Sequence, residues 1–154
     1  QAVIENNFFH RIRMPTILLQ TPDQRYALQN SVGNLMIRNN VFYECGDTLI
    51  RSNPQIYNLS EKSNLYGTLE VKDNFISMRQ ARSLFLDLRG FANVKVARNH
   101  IETDQAEPKL VRISDYQLVE LGPQQITGTE SKPQAELIRS GQYHSKGWDI
   151  KSSN

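Results

Sequence analysis

A chain of 154 residues suits a single domain large enough to bury a core. Its 38% hydrophobic and 22% charged residues are those of an ordinary soluble domain, and a net charge of +2 argues against a nucleic-acid partner, which needs basic residues massed on one face. No apolar run approaches the roughly 18–20 residues of a membrane span, and the lone Cys45 rules out an internal disulfide framework and a structural zinc site.

The chain enters an apolar-alternating stretch at once, AVIENNFFHRIRMPTILL over 2–19, with no capping element ahead of it. A bare first rung exposes unpaired backbone groups and an apolar disc. Either earlier rungs or a partner is therefore expected to cover that end. QAVIENN itself carries no basic and apolar zones of a signal peptide. A polar connector, Gln20 to Asn34, follows, broken by Pro22 and Gly33. LMIRNNVFYECGDTLI at 35–50 repeats the first stretch, and a second connector runs from Arg51 to Gly67 with Tyr57 and Tyr66. LEVKDNFISMRQARSLFLDL at 69–88 and VKVARNHIETDQAEPKLVRI at 94–113 say it twice more, joined by the short link Arg89-Gly90-Phe91. YQLVEL at 116–121 adds a strand that Gly122-Pro123 ends. Beyond Thr127 the chain reads as a polar tail with one short helix, capped by Ser131, opened by Pro133 and stopped by Gly141. Tyr143, Trp148 and Ile150 are placed to cover the last rung.

Aligned on one polar residue, the repeats put Asn7, Asn40, Asn74 and Asn99 in register at intervals of 33, 34 and 25 residues. Periods of about 20–50 residues mark stacked architectures. Three places before each asparagine stand Ile4, Ile37, Val71 and Val96; two after stand Phe9, Phe42, Ile76 and Ile101. Period-two alternation means strands with one face inside. Two strands per unit without helical crossovers predict an all-β fold, a right-handed parallel β-helix of about four to five rungs over 1–126, with an irregular tail over 127–154. The asparagines are expected to form a ladder between rungs, a structural role rather than a catalytic one. Asn6 and Asn39 suit the left-handed conformation of a sharp bend. The interval of 25 is the bare rung. The longer intervals place surface loops on one side of the coil, where they wall a groove.

Carboxylates are the candidates for chemistry, since hydrolysis of a glycoside generally uses two of them about 5–10 Å apart. Asp23 lies in the first connector, Glu44 and Asp47 in the bend of the second repeat, and Asp87 on the outer side of a strand. Arg51, Arg89 and Arg112 are basic neighbours of Asp87, so a solvated ion-pair face is the competing reading there. His10, His100 and His144 fall at no metal-ligand spacing, and no metal site is expected. Cys45, ahead of Gly46, reads as a small packed residue. Tyr26, Tyr57 and Tyr66 either stack on sugar rings or pin their loops to the wall. No nucleotide motif appears.

AVIENNFF followed by TILLQTPDQRYALQNSVGNLMIRNNVFYECGDTLI resembles the late β-helix rungs of glycoside hydrolase family 110, over about Ala2 to Glu102. The connector Gln20 to Asn34 is its most particular element. The resemblance implies an α-galactosidase acting by inversion on α-1,3-linked galactose. With it come a glycan partner, no cofactor, and a secreted, periplasmic or cell-surface location. Gln20, Gln24 and Tyr26 then fall in the connector expected to hold substrate, with Asp23 near the family's acidic position. From placement alone, Arg25, Arg51 and Tyr57 are expected as further substrate contacts and Asp87 as a second catalytic carboxylate. The chain departs from the family where Tyr26 and Leu28 stand at a tryptophan and a glutamate position. It also lacks the paired aspartates followed by asparagine and histidine-glycine. Those departures imply either that the catalytic acid pair lies outside this chain or that the chain is a relative with different chemistry. The alternative is a non-catalytic β-helix module that binds glycan or presents a stiff surface.

Overall fold

The computed structural model describes residues 1–13, 15–20, 33–53, 66–78, 84–139 and 141–153, and every regular element among them is a strand. The first turn of the coil is β1 (Ala2–Glu5), β2 (Phe8–His10) and β3 (Ile17–Gln20). The second is β4 (Leu35–Arg38), β5 (Val41–Tyr43) and β6 (Thr48–Asn53); the third is β7 (Tyr66–Lys72), β8 (Phe75–Met78) and β9 (Leu84–Arg89). The fourth is β10 (Phe91–Ala97), β11 (His100–Thr103) and β12 (Lys109–Ser114). The fifth is β13 (Leu118–Leu121), β14 (Gln125–Thr127) and β15 (Gln134–Ile138), and β16 (Gln142–Ser145) with β17 (Asp149–Ser153) begins a sixth. Corresponding strands stack in parallel: β1 through β16 in sheet A, β2 through β14 in sheet B, β3 through β17 in sheet C. The fold is a parallel β-helix.

Each unit has three strands, not two. The asparagine bend splits the first apolar run, leaving segments such as β2 and β5 of three residues, too short to show their own alternation. The inward files follow the repeat. Ile4, Ile37, Val71, Val96 and Leu121 pair in register up sheet A, and Phe9, Phe42, Ile76, Ile101 and Ile126 up sheet B. Phe9 and Phe42 stack with ring centroids 5.0 Å apart. Ile17, Ile50, Leu86, Val111, Ala135 and Ile150 form the file of sheet C. From the second to the fifth rung these side chains are fully buried, apart from the half-buried Ile126, and each large one contributes about 1.5–3 kcal/mol by leaving water.

The bend between sheets A and B is held by amides. Asn7 Nδ2 donates to Asn40 Oδ1 at 3.0 Å, Asn40 to Asn74 at 3.1 Å, and Asn74 to Asn99 at 2.9 Å. The same oxygens accept the backbone N–H of Asn7, Asn40 and Asn74. Gln124 extends the file unannounced: its Oε1 accepts from Asn99 Nδ2 at 2.9 Å and from Asn99 N at 3.0 Å. The residue before each asparagine takes left-handed φ, 60° at Asn6, 54° at Asn39, 55° at Asp73 and 54° at Arg98. At the fifth bend Pro123 stands in that place, and its ring fixes φ near −65°. The longer glutamine arm at 124 restores the amide contact.

The expected helix between Ser131 and Gly141 is β15 instead. Its Ala135 and Leu137 point inward and are buried, Gln134, Glu136 and Ile138 outward, and the strand pairs with β12. An open parallel edge beside the segment supplies hydrogen bonds and an apolar surface that override helix propensity. The 126/127 boundary falls inside β14, so the coil continues where an irregular tail was expected. Trp148 is buried on the last rung and its Nε1 donates to Gly122 O at 2.9 Å. Ile150 packs on the core, whereas Tyr143, in register with Val119, stays 41% exposed.

Replacing Asn74, which is 2% exposed, strips the acceptor from the Asn40 amide and backbone N–H together. Asn74→Ala is expected to lower unfolding free energy by about 2–4 kcal/mol, and Asn7→Ala, at an exposed position, by about 1 kcal/mol. Urea denaturation of the two variants checks the order; equal losses would show that the ladder is not cooperative with burial.

Candidate functional site

The outer face of sheet C holds Asp87 and Arg51 together. Register places Leu18, Arg51, Asp87, Arg112, Glu136 and Lys151 in one file along the coil axis. Apart from the half-exposed Leu18, its charge alternates rung by rung, as opposite cross-strand neighbours favour. Arg51 Nε stands 3.5 Å from Asp87 Oδ2, an ion pair too long for a hydrogen bond, while Arg51 Nη2 donates to Thr48 Oγ1 at 3.1 Å. Asp87 retains 29% side-chain exposure. Arg89, expected beside Asp87, turns to the next corner and binds Asp115 Oδ2 at 2.9 Å. Glu136 lies 2.7 Å from Lys109 Nζ, and that hydrogen bond holds its carboxyl below the usual range, with burial opposing and the charges of Lys109, Arg112 and Lys151 assisting.

The two connectors leave the coil at the same corner. Gln20 and Asn53 are register partners at the ends of β3 and β6, and the chain returns in register at Leu35 and Leu69. Asp23, Gln24, Arg25, Tyr26 and Tyr57 lie outside the described residues, as does the side chain of Gln20. In the later rungs the same corner is closed by Gly90 at φ 81° and by Asp115 at φ 54°.

Two further surfaces carry carboxylates that the sequence did not single out as site residues. Sheet A bears a groove of about 380 Å³ beside that corner, lined by Asn34, Met36, Thr68, Glu70, Asn93 and Lys95 among others. Glu70, Lys95 and Glu120 are successive register partners there. Lys95 Nζ is 2.9 Å from Glu120, and Glu70 is 2.6 Å from Lys72. Carboxylates two rungs apart are separated by about 9–10 Å at the backbone, near the spacing of an inverting pair. Yet Lys95 occupies the gap in this pair, and Arg112 does so between Asp87 and Glu136. The second surface is a cleft of about 460 Å³ between sheets B and C, lined by Glu102, Thr103, Asp104, Thr127 and Gly128. Its sequence signal was the acidic turn HIETDQAEP, which no spacing linked to residues 25 positions on.

Among the other candidates, Glu44 binds Arg11 at 3.0 Å at a bend where both have left-handed φ. Cys45 is buried, its Sγ within 3.5 Å of Phe9 O. No cluster of three metal-binding side chains exists among the described residues. No protein-family model and no solved structure matches the chain. Alpha-1,3-galactosidase A of Bacteroides thetaiotaomicron is 24% identical to it over 101 residues, 66% of the chain. The chain spans 17% of that protein's length.

Two surface carboxylates are held below their ordinary range by ion pairs. Asp73 is held below the usual carboxylate range by its bidentate contact with Arg98, 2.8 Å at each oxygen, against a smaller opposing effect of burial. Both Asp73 and Glu136 are depressed, so the stability they contribute is complete above the unfolded values of 3.8 and 4.5 and is lost as pH falls through the folded ones. Asp73→Asn combined with Glu136→Gln is expected to flatten the decline in urea midpoint below about pH 4.5; an unchanged decline would assign the acid sensitivity elsewhere.

Proposed function

We propose that this chain is part of a glycan-degrading glycoside hydrolase of the α-galactosidase kind, with sheet C as the face that holds the sugar. The likeness to an α-1,3-galactosidase over 101 residues carries this reading. The geometry supports it in two ways. A stiff file of charged side chains, Arg51, Asp87 and Arg112, runs beside the corner from which both long connectors leave. Arg51 and Asp87 are both partly exposed there, with the guanidinium Nε buried beside the carboxylate. In this reading Asp87 is the acceptor carboxylate, orienting water or a sugar hydroxyl. Glu136, held ionised by Lys109, does not serve as proton donor. The donor is Asp23 on the first connector or an acid outside this chain, and Gln20, Gln24, Arg25, Tyr26 and Tyr57 line the sugar. Such an enzyme works outside the cytoplasm, where its glycans are.

One observation favours a second reading. Both described carboxylate pairs that are two rungs apart have a cation between them, where a glycosidic oxygen would have to sit. A β-helix that binds glycan without cleaving it would have that arrangement.

Galactose release from galactosyl-α-1,3-galactose by the full-length protein distinguishes the two. Asp87→Asn is expected to lower kcat by about a hundredfold or more with thermal stability retained. Binding without release would establish the non-catalytic module, and neither binding nor release would remove the glycan reading altogether.

A further inference from the structure

Sheet B carries an outer face that the site on sheet C does not use. Its outward residues fall into two files, Phe8, Val41, Phe75, His100 and Gln125 in one, His10, Tyr43, Ser77, Glu102 and Thr127 in the other. Phe8 is 67% exposed. The rings lie against one another: Phe8 and His10 at 5.9 Å, His10 and Tyr43 at 5.6 Å, and Phe75 and His100 edge-on at 5.1 Å. Ser77 is buried, so the second file is open at His10 and Tyr43 and again at Glu102 and Thr127. There it meets the cleft of about 460 Å³, which also holds Asp104. The fold keeps that cleft close-walled: Gly128 has φ +93°, and a Cβ on it would strike Thr103 O.

We infer that this face is a second glycan-binding surface, which takes a neutral sugar chain lying along the coil axis with one end in the cleft of Glu102 and Asp104. The inference rests on the glycan-active reading above and names a ligand class and a place that reading does not. Rungs recur about every 4.8 Å, close to the length of one pyranose unit, so each rung meets one ring of such a chain. Aromatic faces accept the C–H side of a sugar ring, while imidazole, phenol and carboxylate groups bond its hydroxyls. A protein partner would call for a wide contiguous apolar patch; this stripe is two residues wide and is interrupted by polar groups. Charge selects among glycans. Glu102 and Asp104 stand in no ion pair among the described residues, so a uronate meets uncompensated negative charge and a neutral sugar does not.

Calorimetric titration of the full-length protein with a neutral galactosyl oligosaccharide of four or more units, and with oligogalacturonate of equal length, tests this. The neutral ligand is expected to bind and the uronate to bind more weakly. Phe8→Ala, at an exposed position that leaves folding intact, and Glu102→Gln are each expected to raise Kd about three- to tenfold, with galactose release from a disaccharide unchanged. Unaltered Kd in both variants would overturn the inference and leave the hydrolase reading standing. No binding by the parent protein with galactose release intact would overturn the inference alone, and neither binding nor release would overturn both. Stronger binding of the uronate, or a dimer that Phe8→Ala converts to monomer by sedimentation, would also overturn it.

Discussion

The molecule depends on one constraint: three strands and three corners must return the chain to the same height after each turn, one strand spacing along. The asparagine file fixes that return. Each amide oxygen of Asn40, Asn74 and Asn99 accepts both the side chain and the backbone N–H of the rung before it, so a slip by one residue would leave buried donors without acceptors. The penalty for such a slip exceeds what any single apolar contact returns. Register in the sheets is therefore inherited from the corner. With it come the inward files that make the core and the outward files of charge or aromatic rings.

The fold was legible because one polar residue recurs where alternation predicts an apolar or mixed one. Asn7, Asn40, Asn74 and Asn99 announce a bend, and the flanking Ile4, Ile37, Val71 and Val96 announce the inside. Strand count was less legible, since β2 and β5 have three residues each and one inward side chain apiece. The segment 134–138 misled because Ser131, Pro133 and Gly141 are genuine helix punctuation. An isolated peptide would follow that punctuation; here the edge of β12 is already in place and QAELI completes it. Gln124 was missed because a glutamine after a proline does not resemble an asparagine after a left-handed residue, although the amide reaches the same point.

Site geometry was harder to read for a different reason. Lone residues such as Asp87 and Arg51 can be identified as outward from alternation. Which cation separates which carboxylates, Lys95 between Glu70 and Glu120 or Arg112 between Asp87 and Glu136, follows only from pairing across 24 to 36 positions. Connector length decides that pairing. The same holds for the cleft at Glu102, whose walls come from adjacent rungs, and for the aromatic file of sheet B, where Phe8, Val41 and Phe75 belong to three repeats.

The amide file has a direction. Each amide-to-amide bond runs from the nitrogen of the earlier rung to the oxygen of the later one, from Asn7 to Gln124, while the same nitrogens of Asn40, Asn74 and Asn99 also donate back to a carbonyl of the rung before. The aligned dipoles therefore reinforce one another along the axis and give the coil two unlike ends. An amide oxygen facing the earlier rung meets an N–H only from a rung laid down in the same sense, whereas a reversed rung would set oxygen against oxygen. Growth of this architecture is thus polar, like that of a filament with a plus and a minus end.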